Sequence, residues 1–188
     1  MNRVVLALLL TTACGKSPAP AAGTPEPTVK QPSDASGFKL GEATVIELLD
    51  KNFQPVSRPL WRLHADGKTE GVNRSGEWRD NFVEAKPDGT LWMQGHQLAK
   101  VTDKAITYTS DGGPPPIAID GDTLSVVVWQ KAHDGEDYTA KIELASDGAI
   151  TVHHRDGTRV YWKIEAADPA VMRTAYRVFA LSMKTILD

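Results

Sequence analysis

The chain has 188 residues, 41% of them hydrophobic and 24% charged, with a formal net charge of −3. Acidic and basic residues are interspersed and no basic stripe forms, so nucleic acid is not an expected partner. Cys14 is the single cysteine and has no second thiol to pair with, so the fold must rest on hydrophobic packing without an internal disulfide.

A basic start, Met1-Asn2-Arg3, leads into the apolar run Val4 to Leu10 and then Thr11-Thr12-Ala13-Cys14. Seven apolar residues fall well short of the roughly 20 that a membrane-spanning helix needs, and the layout of residues 1–13 is that of a secretory signal. The segment Thr11 to Cys14 resembles the lipobox of bacterial lipoproteins, with Thr11 where leucine is commonest. The resemblance implies that Cys14 becomes the mature N-terminus and carries a thioether-linked diacylglycerol and an N-acyl chain. Two such chains anchor a protein stably. Gly15 then looks like the outer-membrane sorting default of Gram-negative lipoproteins. The expected location is the cell envelope, on the outer membrane, with the lipid bilayer as partner through Cys14. Ordinary signal peptidase cleavage after Ala13 or Ala21 is the alternative and gives a soluble exported protein.

Residues 15–37 contain five prolines, three glycines and no aromatic residue, too little apolar surface to fold. They read, with Cys14, as a tether whose mean reach is about 25 Å. Residues 38–188 are the size of one domain with its own core.

In that domain Ala43–Leu49 reads as strand or short helix, with strand preferred. Leu60–Ala65, Asn81–Ala85, Leu91–Gln94, Leu98–Thr102 and Ala105–Thr109 read as short strands, and Thr123–Gln130, apolar on both faces, as a central strand covered on both sides. From Tyr138 to Leu144 apolar and polar residues alternate, the signature of a half-buried strand. Ile150 to Val152 and Val160 to Ile164 follow. Asp-Gly dipeptides beginning at Asp66, Asp88, Asp111, Asp120, Asp134, Asp147 and Asp156 punctuate these runs. They predict hairpins with type I′ turns, in which both central residues take positive φ. The first three are 22 and 23 residues apart, which hints at a repeated two-strand unit; the later spacings of 9, 14, 13 and 9 argue against a solenoid or propeller. At the C-terminus Asp168 can act as N-cap with Pro169 in the first helical position. Val171, Met172, Ala175, Tyr176, Phe179, Met183, Ile186 and Leu187 form one apolar stripe of a helix over 169–187. The expected fold is mainly β: an antiparallel meander, barrel-like or a curved sheet, of about 8–10 strands with this helix packed on it.

Candidate chemistry is sparse. His64, His96 and His133 stand apart, and His153 and His154 are strand neighbours that point to opposite faces, so no metal site is expected. Asp120-Gly121-Asp122 and the run Asp134 to Asp137 place carboxylates in loops, without the spacing of a calcium loop. No Gly-x-Ser-x-Gly elbow is present, and neither enzyme activity nor a cofactor is expected. The five tryptophans, Trp61, Trp78, Trp92, Trp129 and Trp162, are conspicuous. Tryptophan in a small β-domain packs the core or lines a cavity, and Trp92, Trp129 and Trp162 are the candidate ligand contacts. Gly76-Glu77-Trp78, followed by Asp137-Tyr138 and a terminal helix, resembles the lipocalin pattern of GxW, TDY and a helix beside the barrel. That resemblance implies an interior holding one small hydrophobic ligand. The expected function is a membrane-anchored lipoprotein with a non-catalytic binding or structural β-domain. A lipocalin-like carrier is the alternative, and an envelope hydrolase comes third. The partner beyond the bilayer is a small apolar ligand or an envelope protein.

Overall fold

The computed structural model describes residues 38–50, 52–111, 113–128, 138–155 and 157–187. The signal, Cys14, the tether, Trp129, His133 and the run Asp134 to Asp137 lie outside them.

The domain is mainly β, as its turn pattern and alternation predict, and its twelve strands exceed the expected number. They are β1 (Ala43–Leu49), β2 (Pro55–Leu63), β3 (Lys68–Val72), β4 (Trp78–Ala85), β5 (Thr90–Met93) and β6 (His96–Val101) in the first half. The second half holds β7 (Ala105–Tyr108), β8 (Ile117–Asp120), β9 (Thr123–Val128), β10 (Tyr138–Leu144), β11 (Ala149–His154) and β12 (Gly157–Ala166), followed by α1 (Pro169–Leu187). Each strand pairs antiparallel with the next in sequence, and β1 pairs with β12 to close a barrel. An even number of strands is what lets an up-and-down meander close on an antiparallel pair, and closure leaves no edge.

The strands absent from the sequence reading carry local disguises. β3 contains Lys68, Glu70 and Gly71, and β8 follows three consecutive prolines, Pro114 to Pro116. β2, expected over Leu60–Ala65, covers Pro55–Leu63; it begins at Pro55 and contains Pro59, residues that weaken a strand signal. Both prolines pair with β1 at register shifts, Pro59 beside the Val45/Ile46 shift and Pro55 beside the Glu47/Leu49 shift. Bulges absorb the missing N–H groups there. β9 is apolar on both faces, yet only Leu124, Val126 and Val128 are buried, while Thr123, Ser125 and Val127 are partly exposed. A barrel wall has one covered face, so the expected two-sided cover is not found.

The turns also differ from expectation. In the β2–β3 loop Gly67 N donates to His64 O and His64 N to Lys68 O, with Gly67 at φ 89°. The same pattern recurs around Gly89 and Gly148. These are three-residue loops, a type I turn followed by a left-handed glycine, rather than type I′ turns. The aspartate accepts a backbone N–H two residues on: Asp66 from Lys68, Asp88 from Thr90 and Asp147 from Ala149. The type I′ signature falls instead on Gln94 (φ 50°) and Gly95 (φ 82°), between β5 and β6.

Turns at one end of the barrel, the near rim, are locked to the following strand. Ala85 N donates to Gly67 O, Val101 N to Gly89 O, Ile119 N to Lys104 O, Leu144 N to Asp122 O and Ile164 N to Gly148 O, at 2.7–2.9 Å. At Gly67 and Gly148 the approach is so close that a Cβ would stand 2.0 and 2.1 Å from the carbonyl oxygens of Ala85 and Ile164. Glycine is required there by space as well as by φ.

The helix starts where the sequence places it. Asp168 Oδ1 accepts from Ala170 N at 2.7 Å, and Asp168 O accepts the first helical bond from Met172 N. It is buried on most sides, since Thr174, Val178 and Ala180 join the expected stripe in the core. It packs on inward-facing residues: Phe179 stands between Trp61 of β2 and Trp162 of β12, with ring centroids 5.6 and 5.5 Å away. Toward the other wall the Tyr176 hydroxyl donates to Ile142 O of β10 at 2.7 Å. Burial pushes the Tyr176 phenol far up, so it stays a donor. The helix therefore occupies the interior, and full burial of Phe179 and Met183 contributes about 1.5–3 kcal/mol each. The entering chain is fixed beside it by Lys39 N donating to Thr174 Oγ1 at 2.9 Å and by buried Phe38.

Gly148→Ala is expected to destabilise the domain by about 3 kcal/mol or more, the sum of left-handed strain and a broken turn-to-strand bond. Gly76→Ala, where φ is 82° and a Cβ meets nothing within 4 Å, should cost only about 1–2 kcal/mol. Urea unfolding of the two variants measures the difference. Acid should also weaken the domain. The carboxyl of Asp66 is held low by Lys68 N–H, that of Asp88 by the Thr90 hydroxyl and N–H, and that of Asp168 by the Lys39 ammonium. A depressed folded value means stabilisation that is complete above the unfolded value near 3.9 and is lost as pH falls through the folded one. Denaturant midpoints between pH 5 and pH 2 should fall, and fall less in Asp88→Asn.

Candidate functional site

The rim opposite the interlocked turns gathers aromatic and basic side chains. Ile150 pairs with Trp162 and Val152 with Arg159, and paired residues of an antiparallel sheet share a face. Because Ile150, Val152 and Trp162 are buried in the lumen, Arg159 is directed to the lumen side near this far rim. A register shift between Ile150 and Thr151 leaves Tyr161 as the extra residue of β12. Bulges re-aim side chains. The Tyr161 ring lies 5.3 Å from Trp162, 6.2 Å from His154 and 6.3 Å from Phe53.

The remaining groups of this rim come from β1, β2, β10, β11 and β12 and from the two loops that hold Phe53 and Arg155. The Tyr138 hydroxyl and His154 Nδ1 share a hydrogen bond of 2.7 Å. Arg155 lies over the Tyr138 ring at 5.2 Å and Arg159 over Phe53 at 4.3 Å. Arg58 is held by Glu47, Nε to Oε2 at 2.5 Å, and the same carboxylate raises its already high pKa. Among the described residues neither Arg155 nor Arg159 is paired with a carboxylate. Two guanidiniums stacked on rings and without a carboxylate partner among the described residues are suited to an anion, which they can bind with fork geometry. The rings beside them suit a flat or apolar body.

Phe53 marks this rim most clearly. Its loop repeats the geometry of the glycine loops, with Phe53 N donating to Asp50 O and Asp50 N to Gln54 O. The left-handed position, filled elsewhere by Gly67, Gly76, Gly89 and Gly148, holds phenylalanine at φ 58°. The ring is 51% exposed. A bulky residue accepts strain of about 1–3 kcal/mol there, the kind of cost found at functional sites.

The residues singled out from sequence are not brought together. Trp162 is buried at the floor of the far rim, between Tyr161 and Phe179. Trp92 pairs with Glu84 on the outer wall. Trp129 and Cys14 lie outside the described residues. The GxW tryptophan, Trp78, stands on the outer wall at the start of β4, with the Arg62 guanidinium 4.3 Å above its ring. His153 and His154 do point apart: His153 meets Glu143 at 3.1 Å on the outer face, and His154 meets Tyr138. On the same outer wall His64 lies between Glu42 at 3.4 Å and Glu70 at 3.1 Å, and Arg62 pairs with Glu70. Sequence reading missed Phe53, Arg155, Arg159 and Tyr161, and the one available signal was Asp50-Lys51-Asn52-Phe53, a turn motif with phenylalanine where glycine is the rule.

Phe53→Gly should leave stability within about 1 kcal/mol of the parent, because relief of left-handed strain offsets the lost edge contact and cation–π pair. Thermal unfolding checks this; a large fall in Tm would make Phe53 a structural residue.

No protein-family model, curated protein or solved structure matches the chain, so its function has to be read from the barrel itself.

Proposed function

We propose that the protein is a lipoprotein of the cell envelope, anchored by acylated Cys14, whose β-barrel is a non-catalytic binding module. Its binding face is the far rim, and its ligand is an organic anion with a flat, apolar body. Strained, exposed Phe53 under the Arg159 guanidinium is the observation that carries this reading. The strain gives the isolated fold nothing that glycine would not, whereas a bound anion over Phe53 and Tyr161 would draw on both the rings and the charge. The composition of residues 15–37 supports the location, since a Pro-rich stretch without aromatic residues lies between Cys14 and the domain that begins at Phe38.

A second reading, the lipocalin-like carrier, is favoured by closure of the barrel and by the Trp61 indole N–H, which is buried without a hydrogen-bond partner among the described residues. Its ligand would have to share the interior with Phe179 and Tyr176.

Anilinonaphthalene sulfonate, an anion with a flat apolar body, separates the two. Rim binding predicts that Arg159→Ala weakens the dye about tenfold or more, the worth of one charge-assisted hydrogen bond, and that Phe53→Gly weakens it with Tm preserved. Binding that ignores both changes and responds to Trp61→Phe would favour the lumen. For location, Cys14→Ala should abolish acylation in the mass spectrum of the mature protein and release it from membranes. An unchanged membrane fraction would sink the anchor.

A further inference from the structure

The far rim uses the inside of the barrel wall, while the outside carries a hollow of different chemistry. Glu84 and Trp92 are register partners of β4 and β5 and project outward together. With Lys86, Gln94 and Gly95 they line a cavity of about 300 Å³, the lower end of the size range of small-molecule sites. The register shift after Leu91 in the pairing of β5 with β6 leaves Leu98 of β6 as the extra residue, so Trp92 keeps the outward direction set by its pairing with Glu84.

The indole is held before any ligand arrives. Trp92 Nε1 donates to Thr90 Oγ1 at 2.9 Å, and Thr90 Oγ1 donates to Asp88 Oδ1 at 2.7 Å. The relay spends the polar atom of the indole on its own strand and leaves the ring half-buried, with a carbon face on the hollow. Around that face stand a carboxylate, an ammonium and an amide. Glu84 and Lys86 neutralise one another in an ion pair, so the hollow has no net charge to attract an ion. Gln94 supplies both a donor and an acceptor, and it does so from a strained position: with Phe53 it is one of two non-glycine residues at positive φ among the described residues. Beside it Gly95 faces open space.

A tethered indole beside an internally neutralised ion pair and an amide, which together offer donors and acceptors, matches one class of ligand well. A pyranose ring has a face of C–H groups that rests on an aromatic surface through weak C–H contacts. Its rim of hydroxyls both donates and accepts. We infer that the hollow around Trp92 is a binding site for an uncharged saccharide, with the indole as platform and Glu84, Lys86 and Gln94 as hydroxyl partners. This site lies on the outer face of the wall, the far-rim site on the inner face, and the one stands or falls independently of the other.

Saturation-transfer difference NMR on the full chain in mild detergent tests the inference, with maltotriose and chitotriose as probes at millimolar concentration. The expected result is transfer to ring C–H protons of at least one of them, lost in Trp92→Ala, kept in Trp92→Phe and reduced several-fold in Gln94→Ala. Maltotriose or chitotriose as the better probe tells a plain glucan from an N-acetylated glycan. Thermal unfolding of Trp92→Ala confirms that the barrel is intact. No transfer to either probe from the parent chain, or equal transfer from parent and Trp92→Ala, would overturn the assignment.

Discussion

Closure of the barrel between β1 and β12 is the constraint on which everything else depends. Ala43 meets Ala166 and Glu47 meets Trp162 only because an even number of strands brings the two ends of the meander together antiparallel. The near-rim turns secure that closure one hairpin at a time. Each hands a carbonyl to the next strand, so the ladder continues through the turns instead of stopping at them. A wall of twelve strands is too wide for its own side chains to fill, since about eight strands is the size that side chains fill unaided. The C-terminal helix supplies the missing interior, with Phe179 against Trp61 and Trp162 and Tyr176 tied to Ile142 O.

This division of labour makes the two ends of the molecule chemically different. Three near-rim loops use Asp-Gly, with aspartate accepting the N–H two residues on and glycine pressed against the neighbouring strand. Two far-rim loops begin with Asp50 and Asn73, whose side chains accept two N–H groups each, and among the described residues these two make no such lock. Freed from that steric demand, the left-handed position can hold Phe53, and the bulge in β12 can turn Tyr161 beside it. Function is expected where the scaffold is settled elsewhere, and the aromatic, arginine-bearing rim meets that description.

Much of the wall was legible in the sequence. The alternation from Tyr138 to Leu144 appears as strict buried and exposed alternation, and Asp168-Pro169 starts the helix. Legibility failed where a residue's local meaning was overridden by a bulge. The strand expected from Leu60 begins at Pro55 and carries Pro59, with both prolines at register shifts against β1. The candidate site was less legible still. Trp162 was singled out and forms its floor, but Arg155, Arg159 and Phe53 are ordinary residues until pairing and bulge place them on one side of one rim.

The sequence by itself determined the strand and helix propensities, the places where the chain must turn and the single thiol at Cys14, because each depends on residues close together in the chain. The tertiary structure alone decided the turn type at Asp-Gly, the number of strands, the filling of the lumen by the helix and the separation of Trp92 from Trp162. Those depend on which face a residue shows after twelve strands have closed, and a single bulge reverses that face without leaving a periodic trace in the sequence.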